Sequence, residues 1–395
     1  MSRLYKGLET KLIHAGEPEQ PICGAVSLPI FQSSTFEYGG QENYHDIKYI
    51  RLNNTPNHVA MHQKLAALEN ADAAVVTASG MAAISTVFLT LLGAGDHILI
   101  QDCLYGGTYD LLTKDLPRLG ISFDFIRDDK SDWATKLRST TRAIYVETIS
   151  NPLLDVPDLD SVAAFAKEHN IVSIVDNTFA SPVNFCPAEH GFDLSIHSCT
   201  KYLNGHSDIV GGAIIGKRHL VDSVLHKLNH FGASMDPHAI FLLNRGLKTL
   251  ALRVRHQNES AMRIAEFLES HELVSRVFYP GLASNPSHER ARKFLGGFGG
   301  VLSFELKDNS TLTADRFVSG LELARSAPSL GGVESLVTRP ATTSHSGLSR
   351  QERLGIGITD GLVRFSVGIE TTEDLIADID QALFRACEVQ PVSGI

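Results

Sequence analysis

Ile171-Val172-Ser173-Ile174-Val175-Asp176-Asn177-Thr178 is a short apolar run, rich in β-branched residues, that ends in an acid. Such a run reads as a strand buried on both faces, the kind that builds parallel sheets. The signature recurs over Ala73 to Thr77, His97 to Gln101, Ser122 to Ile126, Ala143 to Glu147 and Leu194 to His197, with Gly211 to Gly216 as one further buried strand. Between them lie stretches of helical period such as Met81 to Leu92, Tyr109 to Leu116 and Leu159 to His169. This alternation predicts an α/β domain with a large, mostly parallel sheet of about seven strands covered by helices.

The 395 residues are too many for one small core and predict two domains with an additional arm. Residues 1–51 are rich in Gly, Pro and Ser and lack sustained periodicity, which suits an extended arm contacting a neighbouring subunit. The sheet domain is expected over 52–245 and a smaller C-terminal α/β domain over 246–395. A long helix is expected from about His238 to His271 across that boundary, followed by strands at Gly300 to Glu305 and Leu362 to Val367 and a helix at Thr372 to Phe384. The polar stretch from Ser335 to Gly357 reads as a loop at a site entrance.

The formal charge of −10 is dispersed along the chain, which argues against a nucleic-acid footprint and for small-molecule partners. No apolar run is long enough to span a bilayer and none resembles a secretory signal, so a cytoplasmic location is expected. The five cysteines, Cys23, Cys103, Cys186, Cys199 and Cys387, are widely spaced and suit reduced thiols rather than a disulfide frame.

Chemistry concentrates just after the strand that ends at His197. In Ser198-Cys199-Thr200-Lys201-Tyr202-Leu203-Asn204-Gly205-His206-Ser207-Asp208, two hydroxyl residues precede a lysine and the chain then breaks into glycine-containing backbone. Hydroxyls that bind a phosphate, set beside an amine that forms a Schiff base, are what a lysine-linked cofactor requires. Asp176, at the carboxyl end of its strand, faces the crevice where parallel sheets bind ligands, and an anion there keeps a cofactor ring nitrogen protonated. Ala78-Ser79-Gly80-Met81-Ala82 marks a strand-to-helix turn whose free amides suit a phosphate. Tyr105, after another strand, offers a ring to stack on a heteroaromatic. Taken singly, each has an ordinary structural explanation: a loop lysine, a cap acid, a common turn, a packing ring. Their succession at the ends of strands of one sheet is what points to a site.

These segments, in this order, resemble the cystathionine-metabolism (Cys/Met metabolism) family of fold-type I pyridoxal 5′-phosphate (PLP) enzymes. The resemblance runs from Ile13-His14-Ala15-Gly16 and Ser33-Ser34-Thr35-Phe36, through Ser79-Gly80-Met81, Asp176-Asn177-Thr178, the lysine segment and Asn244-Arg245-Gly246-Leu247-Lys248-Thr249-Leu250, to Ser329-Leu330-Gly331-Gly332 and Arg364-Phe365-Ser366-Val367-Gly368. It implies that Lys201 carries PLP as a Schiff base, Asp176 pairs with the pyridine nitrogen and Tyr105 stacks on the ring. Gly80, Met81, Ser198 and Thr200 would hold the phosphate, joined by Tyr49 and Arg51 from an adjacent subunit. Arg364 would clamp the substrate α-carboxylate, assisted by Asn151 and Ser329. No metal is expected, and the assembly implied is a homo-oligomer, usually a tetramer built from dimers with shared sites.

The implied reaction is elimination at Cβ or Cγ of cystathionine or a related sulfur or homoserine-type amino acid, a carbon–sulfur lyase. Replacement at Cγ, of the cystathionine γ-synthase or O-acylhomoserine sulfhydrylase type, is the alternative, with methionine γ-lyase and γ-elimination from another homoserine derivative beside it. Four departures bear on the choice. Pro328 stands where many γ-synthases and γ-lyases of cystathionine carry a glutamate, and Gly107 where methionine γ-lyases typically place a cysteine. Asn54-Thr55-Pro56 and Ser234-Met235-Asp236-Pro237 also differ from the commoner patterns. Two other classes fit less well. A metal site at His197, Cys199 and His206 lacks a second ligand pair at the usual spacing, and no GxGxxG follows the first strand as a nicotinamide enzyme requires.

Overall fold

The computed structural model describes residues 5–127 and 130–387, so the ends of the predicted arm and C-terminal domain at 1–4 and 388–395 lie outside the described residues. Two compact units divide the chain. The first runs to Ile149 and takes Val156–Leu252 and Phe294–Gly296; the second takes Ser150–Asp155, Arg253–Lys293 and the chain from Gly297.

In the first unit, α1 (Leu8–His14) and α2 (Pro56–Leu68) precede β1 (Ala73–Thr77), α3 (Gly80–Leu91), β2 (His97–Gln101), α4 (Gly106–Asp110), β3 (Ser122–Ile126), α5 (Trp133–Lys136) and β4 (Thr141–Glu147). Then come α6 (Leu159–Glu168), β5 (Val172–Asp176), α7 (Ser181–Asn184), β6 (Leu194–Ser198), β7 (Gly212–Gly216), α8 (Arg218–Phe231) and α9 (Pro237–Leu247). The seven strands form one sheet in the order β1-β7-β6-β5-β4-β2-β3. Neighbouring strands among β2 to β6 pair in parallel, while β7 runs antiparallel to both β1 and β6. The apolar runs form strands because both faces are covered: β1, β2 and β7 are buried at every position, and the core joins Val75, Ile98, Ile100, Tyr145, Ile174, Ile196 and Ile214 to Val87 and Phe88 of α3 and Val224 of α8.

The second unit contains α10 (Leu250–Ser270) from Arg253 onward, then β8 (Val274–Phe278), α11 (His288–Phe294) as far as Lys293, β9 (Val301–Leu306), α12 (Thr311–Gly320) and β10 (Arg325–Ser326). It ends with β11 (Leu336–Thr338), α13 (Arg350–Gly355), β12 (Leu362–Ser366) and α14 (Thr372–Cys387). Its five strands lie in the order β10-β11-β12-β9-β8, packed on Ile264, Leu268, Phe317, Ile379 and Leu383.

Three sequence expectations are corrected. The single helix from His238 to His271 is two, α9 and α10. Lys248 keeps helical dihedrals (φ −60°, ψ −22°), so the periodicity runs on, but Thr249 returns both its amide and its hydroxyl to the Gly246 carbonyl and breaks the ladder. The arm is not wholly extended: α1 forms where the buried Lys64 donates to the carbonyls of Leu12 and Ile13, satisfying the helix end. The segment 335–357 is not only loop, since the buried triplet Leu336–Thr338 pairs with β12 and α13 is closed by a Ser349/Glu352 capping box. Among the described residues, no helix is long and apolar enough to cross a membrane.

Candidate active site

The lysine turn begins where β6 ends. Lys201 N donates to Ser198 O at 3.2 Å, Asn204 N to Cys199 O at 3.1 Å and Gly205 N to Lys201 O at 2.8 Å, winding the chain tightly before it returns as β7. Thr200 stitches that turn to the start of β7, its hydroxyl accepting from Gly211 N at 3.1 Å. Tyr202 and Leu203 are buried beneath it. Cys199 is also buried, and burial pushes its thiol far above the ordinary range, so it is no nucleophile.

Beside this turn, the β1–α3 connection presents an open helix terminus. Ser79 caps α3 by accepting from Ala82 N at 3.0 Å, and Ala83 N bonds to Ser79 O. The amides of Gly80 and Met81 fall in the first turn, where helix geometry supplies no carbonyl. A Cβ added to Gly80 would lie 3.0 Å from Ser198 Cβ and 3.1 Å from its Oγ, and one added to Gly212 would lie 2.3 Å from Ser79 O. Glycine at both positions lets the end of β6 and the start of β7 close against the turn. Two amides, the positive end of a 12-residue helix and the Ser198 hydroxyl therefore converge, a donor set that fits a phosphate.

Asp176 ends β5, which pairs in parallel with β6. Its Oδ1 accepts from Thr178 N at 3.0 Å and its Oδ2 from the Tyr145 hydroxyl at 3.3 Å. Burial nevertheless raises its pKa, with the Thr178 and Tyr145 hydrogen bonds and nearby His197 opposing that rise only in part. A desolvated carboxylate so incompletely compensated fits a cationic partner such as a protonated pyridine nitrogen. Burial holds the Tyr145 hydroxyl protonated by raising its pKa well above the usual value, which keeps it a donor. Behind Asp176 a second row locks the strand ends: His197 Nε2 meets Glu69 Oε1 at 2.6 Å, Asn177 Nδ2 donates to the same oxygen at 3.0 Å, and Thr148 donates to Asn177 Oδ1 at 2.9 Å.

Tyr105 precedes α4. Its amide donates to Glu147 Oε1 at 2.7 Å, and Glu147 N in turn donates to Gln101 Oε1 at 2.7 Å, so the ends of β2 and β4 fix its backbone. Tyr105 is 45% exposed. A Cβ on Gly107 would lie 2.6 Å from Tyr105 Cε1 and 2.9 Å from Met81 Sδ. Gly107 thus leaves the space in which the Tyr105 ring lies.

Tyr49 and Arg51 lie together, with the guanidinium 5.5 Å from the Tyr49 ring centroid. Arg51 donates to the Tyr44 hydroxyl at 2.6 Å and to Asn229 O of α8 at 2.7 Å, so within its own chain it binds α8 and not the phosphate turn. In the second unit, Arg364 on β12 is 5% exposed and donates to Asn151 Oδ1 at 3.0 Å and to Ser329 O at 2.8 Å. Ser329 holds φ 111°, a strained conformation for a side-chain-bearing residue and one that clusters at functional sites. The trio His197, Cys199 and His206 gathers around no common point: His197 is committed to Glu69, while His206 Nδ1 pairs with Asn204 O. A cavity of about 500 Å³ lined by Asp72, Ile171, Asp193 and Lys217 lies at the amino ends of β5 and β6, the opposite edge of the sheet from Asp176 and Ser198.

Sequence reading missed Glu147, Thr178, Tyr145 and Glu69. Glu147 carried the same signal as Asp176, an acid closing an apolar strand. Glu69 carried none, since it ends a helix 128 residues before its partner His197.

A parallel sheet with a phosphate-fitting helix terminus, a strand-end carboxylate and a lysine turn on one edge defines a PLP enzyme of the fold-type I class. The profile of the family described as Cys/Met metabolism PLP-dependent enzymes matches residues 9–384. The chain is 43% identical to a cystathionine β-lyase of Lactococcus lactis subsp. cremoris, over 95% of this chain and 98% of that one. It is 42% identical to a cystathionine γ-lyase of Bacillus subtilis, again over 95% and 98%. A solved cystathionine γ-lyase from Lactobacillus plantarum, complexed with L-serine, superposes with a TM-score of 0.92 at 38% identity, covering 96% of this chain and 99% of that one. The chain belongs to the Cys/Met metabolism family of PLP-dependent enzymes, and its cofactor is PLP.

Proposed function

We propose that this PLP-dependent carbon–sulfur lyase eliminates the sulfur substituent of cystathionine or a closely related amino acid, with Lys201 as the lysine that carries the cofactor and moves protons. The observation that carries the reading is the grouping on one sheet edge of the Lys201 turn, the Gly80/Met81/Ser198 donor set and Asp176. Relatives of near-equal identity named as cystathionine β- and γ-lyases support the substrate class.

The bound cofactor supplies an electron sink for the pair left at Cα when its proton departs. Asp176, oriented by Thr178 and Tyr145, holds the ring nitrogen protonated. The amides of Gly80 and Met81, with the hydroxyls of Ser198 and Thr200, would hold the phosphate; the Thr200 oxygen also accepts from Gly211 N. Tyr105, its backbone held by Glu147 and its ring given room by Gly107, would stack on the ring. The Lys201 amine would take the Cα proton and, for loss at Cγ, the Cβ proton as well. Arg364, aimed by Asn151 and the Ser329 carbonyl, receives the substrate α-carboxylate through its planar fork.

The protein works in the cytoplasm as a homo-oligomer, a tetramer built from two dimers, in which Tyr49 and Arg51 reach the neighbour's phosphate. Supporting this, the arm leaves Val26, Ile30, Tyr38 and Tyr44 exposed on one chain.

The test is to incubate the cofactor-loaded protein with cystathionine and identify the oxo acid. Pyruvate marks loss at Cβ and 2-oxobutyrate loss at Cγ, and Lys201→Ala must abolish either. Neither acid from a protein with normal cofactor absorption would overturn the cystathionine reading and leave replacement at Cγ or elimination from another homoserine-type amino acid.

A further inference from the structure

Outside the cofactor region, three imidazoles converge on the surface of the first unit. His226 and His230 stand one turn apart on α8, and His45 approaches them from the arm turn at Tyr44–Asp46. Their ligand nitrogens all lie within 4.8 Å of one another. Ring centroids are 4.8 Å apart for His45 and His226, 6.2 Å for His45 and His230, and 4.6 Å for His226 and His230. Among the described residues this is the one group of three or more histidine, cysteine or acidic side chains close enough to share an ion. We propose that His45, His226 and His230 form a binding site for a divalent first-row transition cation, which clamps the arm turn onto α8.

The ligand chemistry selects the ion. Three neutral nitrogen donors suit Zn²⁺, Ni²⁺ or Cu²⁺, whereas Mg²⁺ and Ca²⁺ demand oxygen ligands. At a zinc–nitrogen distance of about 2.0–2.1 Å, tetrahedral ligands stand roughly 3.3 Å apart. The nitrogens therefore close by about 1.5 Å at most, within reach of rotamer adjustment because His226 and His230 are exposed and His45 is half-buried. Three protein ligands leave the fourth position to water. The spacing of four along α8 puts His226 and His230 on one face, and Asn43 fixes the His45 backbone by accepting its amide at 3.0 Å.

The clamp has a consequence for the arm. Arg51 is held by Tyr44, the residue before His45, and by the carbonyl of Asn229, the residue before His230. An ion bridging His45 to His230 ties together the same two elements that hold Arg51. None of its three ligands is among the residues proposed to hold the cofactor, and its existence does not depend on the substrate proposed above.

The test is a calorimetric titration of NiCl₂ into chelator-treated holoenzyme, with His226→Gln and His230→Gln alongside. Both changes are on exposed residues, so both variants should melt with the wild type; should one not, His45→Gln replaces it. The expected result is one Ni²⁺ per chain in the wild type and an affinity loss of at least the ~10-fold that even an outer-shell partner is worth in each variant. Amide exchange at Tyr44–Asp46 should slow on Ni²⁺ addition in the wild type and not in His230→Gln. No binding in the wild type, or binding that survives both substitutions and so belongs to the cysteines, overturns the site. Binding without slower exchange overturns the clamp.

Discussion

Gly107→Ala tests the placement of Tyr105 most directly. The new Cβ would lie 2.6 Å from Tyr105 Cε1, 3.2 Å from its Cζ and 2.9 Å from Met81 Sδ. Carbon contacts settle at about 3.5–4.0 Å, so the ring must withdraw by roughly 1 Å, while the flexible Met81 thioether can turn aside. Overpacking inside a core costs about 1–3 kcal/mol, but Tyr105 is 45% exposed and has solvent to move into, so stability should fall by no more than the lower figure. The greater loss is in the cofactor. An aromatic stack is worth about 0.5–1.5 kcal/mol, which predicts PLP binding about twofold to tenfold weaker. The assay is PLP titration of apo-protein for the wild type, Gly107→Ala, Tyr105→Ala and the double variant. With the ring removed the clash vanishes, so Gly107→Ala should cost almost nothing in the Tyr105→Ala background. Wild-type PLP affinity in Gly107→Ala, or an equal penalty in both backgrounds, would refute the account.

Because burial raises the Asp176 pKa, the stability it contributes to the cofactor-free protein is full below its unfolded value and lost as pH rises through the higher native one. At neutral pH, Asp176→Asn should therefore leave the apo melting temperature unchanged or higher yet weaken PLP about 10- to 100-fold, the worth of a hydrogen bond to a charged group; wild-type PLP affinity should fall on acidification through the same window and the variant's should not. Arg364→Lys forfeits the planar fork that Asn151 and Ser329 aim, and should raise KM about 10- to 100-fold while the cofactor's absorption is unchanged. Gly246→Ala, a gain of about 1 kcal/mol by helix propensity, should instead destabilise by about 1–3 kcal/mol, since its Cβ would lie 2.3 Å from the Asn204 carbonyl oxygen; a higher melting temperature would contradict that packing.

All seven strands of the large sheet were legible in the sequence to within a residue or two: β1, β2 and β7, buried at every position, come from short runs dominated by apolar residues, while the edge strand β3 alternates Phe123, Asp124 and Phe125. The positions of Asp176 at the end of β5 and of Lys201 in the turn after β6 were legible for a related reason: a charged residue at or just past the end of such a run falls on the carboxyl edge of the sheet. The break between α9 and α10 was hidden, since Lys248 keeps helical dihedrals and periodicity cannot register a single returned hydrogen bond at Thr249. Gly107 announced an absent cysteine but not the tyrosine ring that fills the space. The pairing of Glu69 with His197 had no local trace, nor did the order in which β7 inserts between β1 and β6. Periodicity and strand-end chemistry act over a few residues, and the chain spells them out. Which strands become neighbours, and which buried acid meets which imidazole, depends on contacts closed across more than a hundred residues, and only the packed structure decides them.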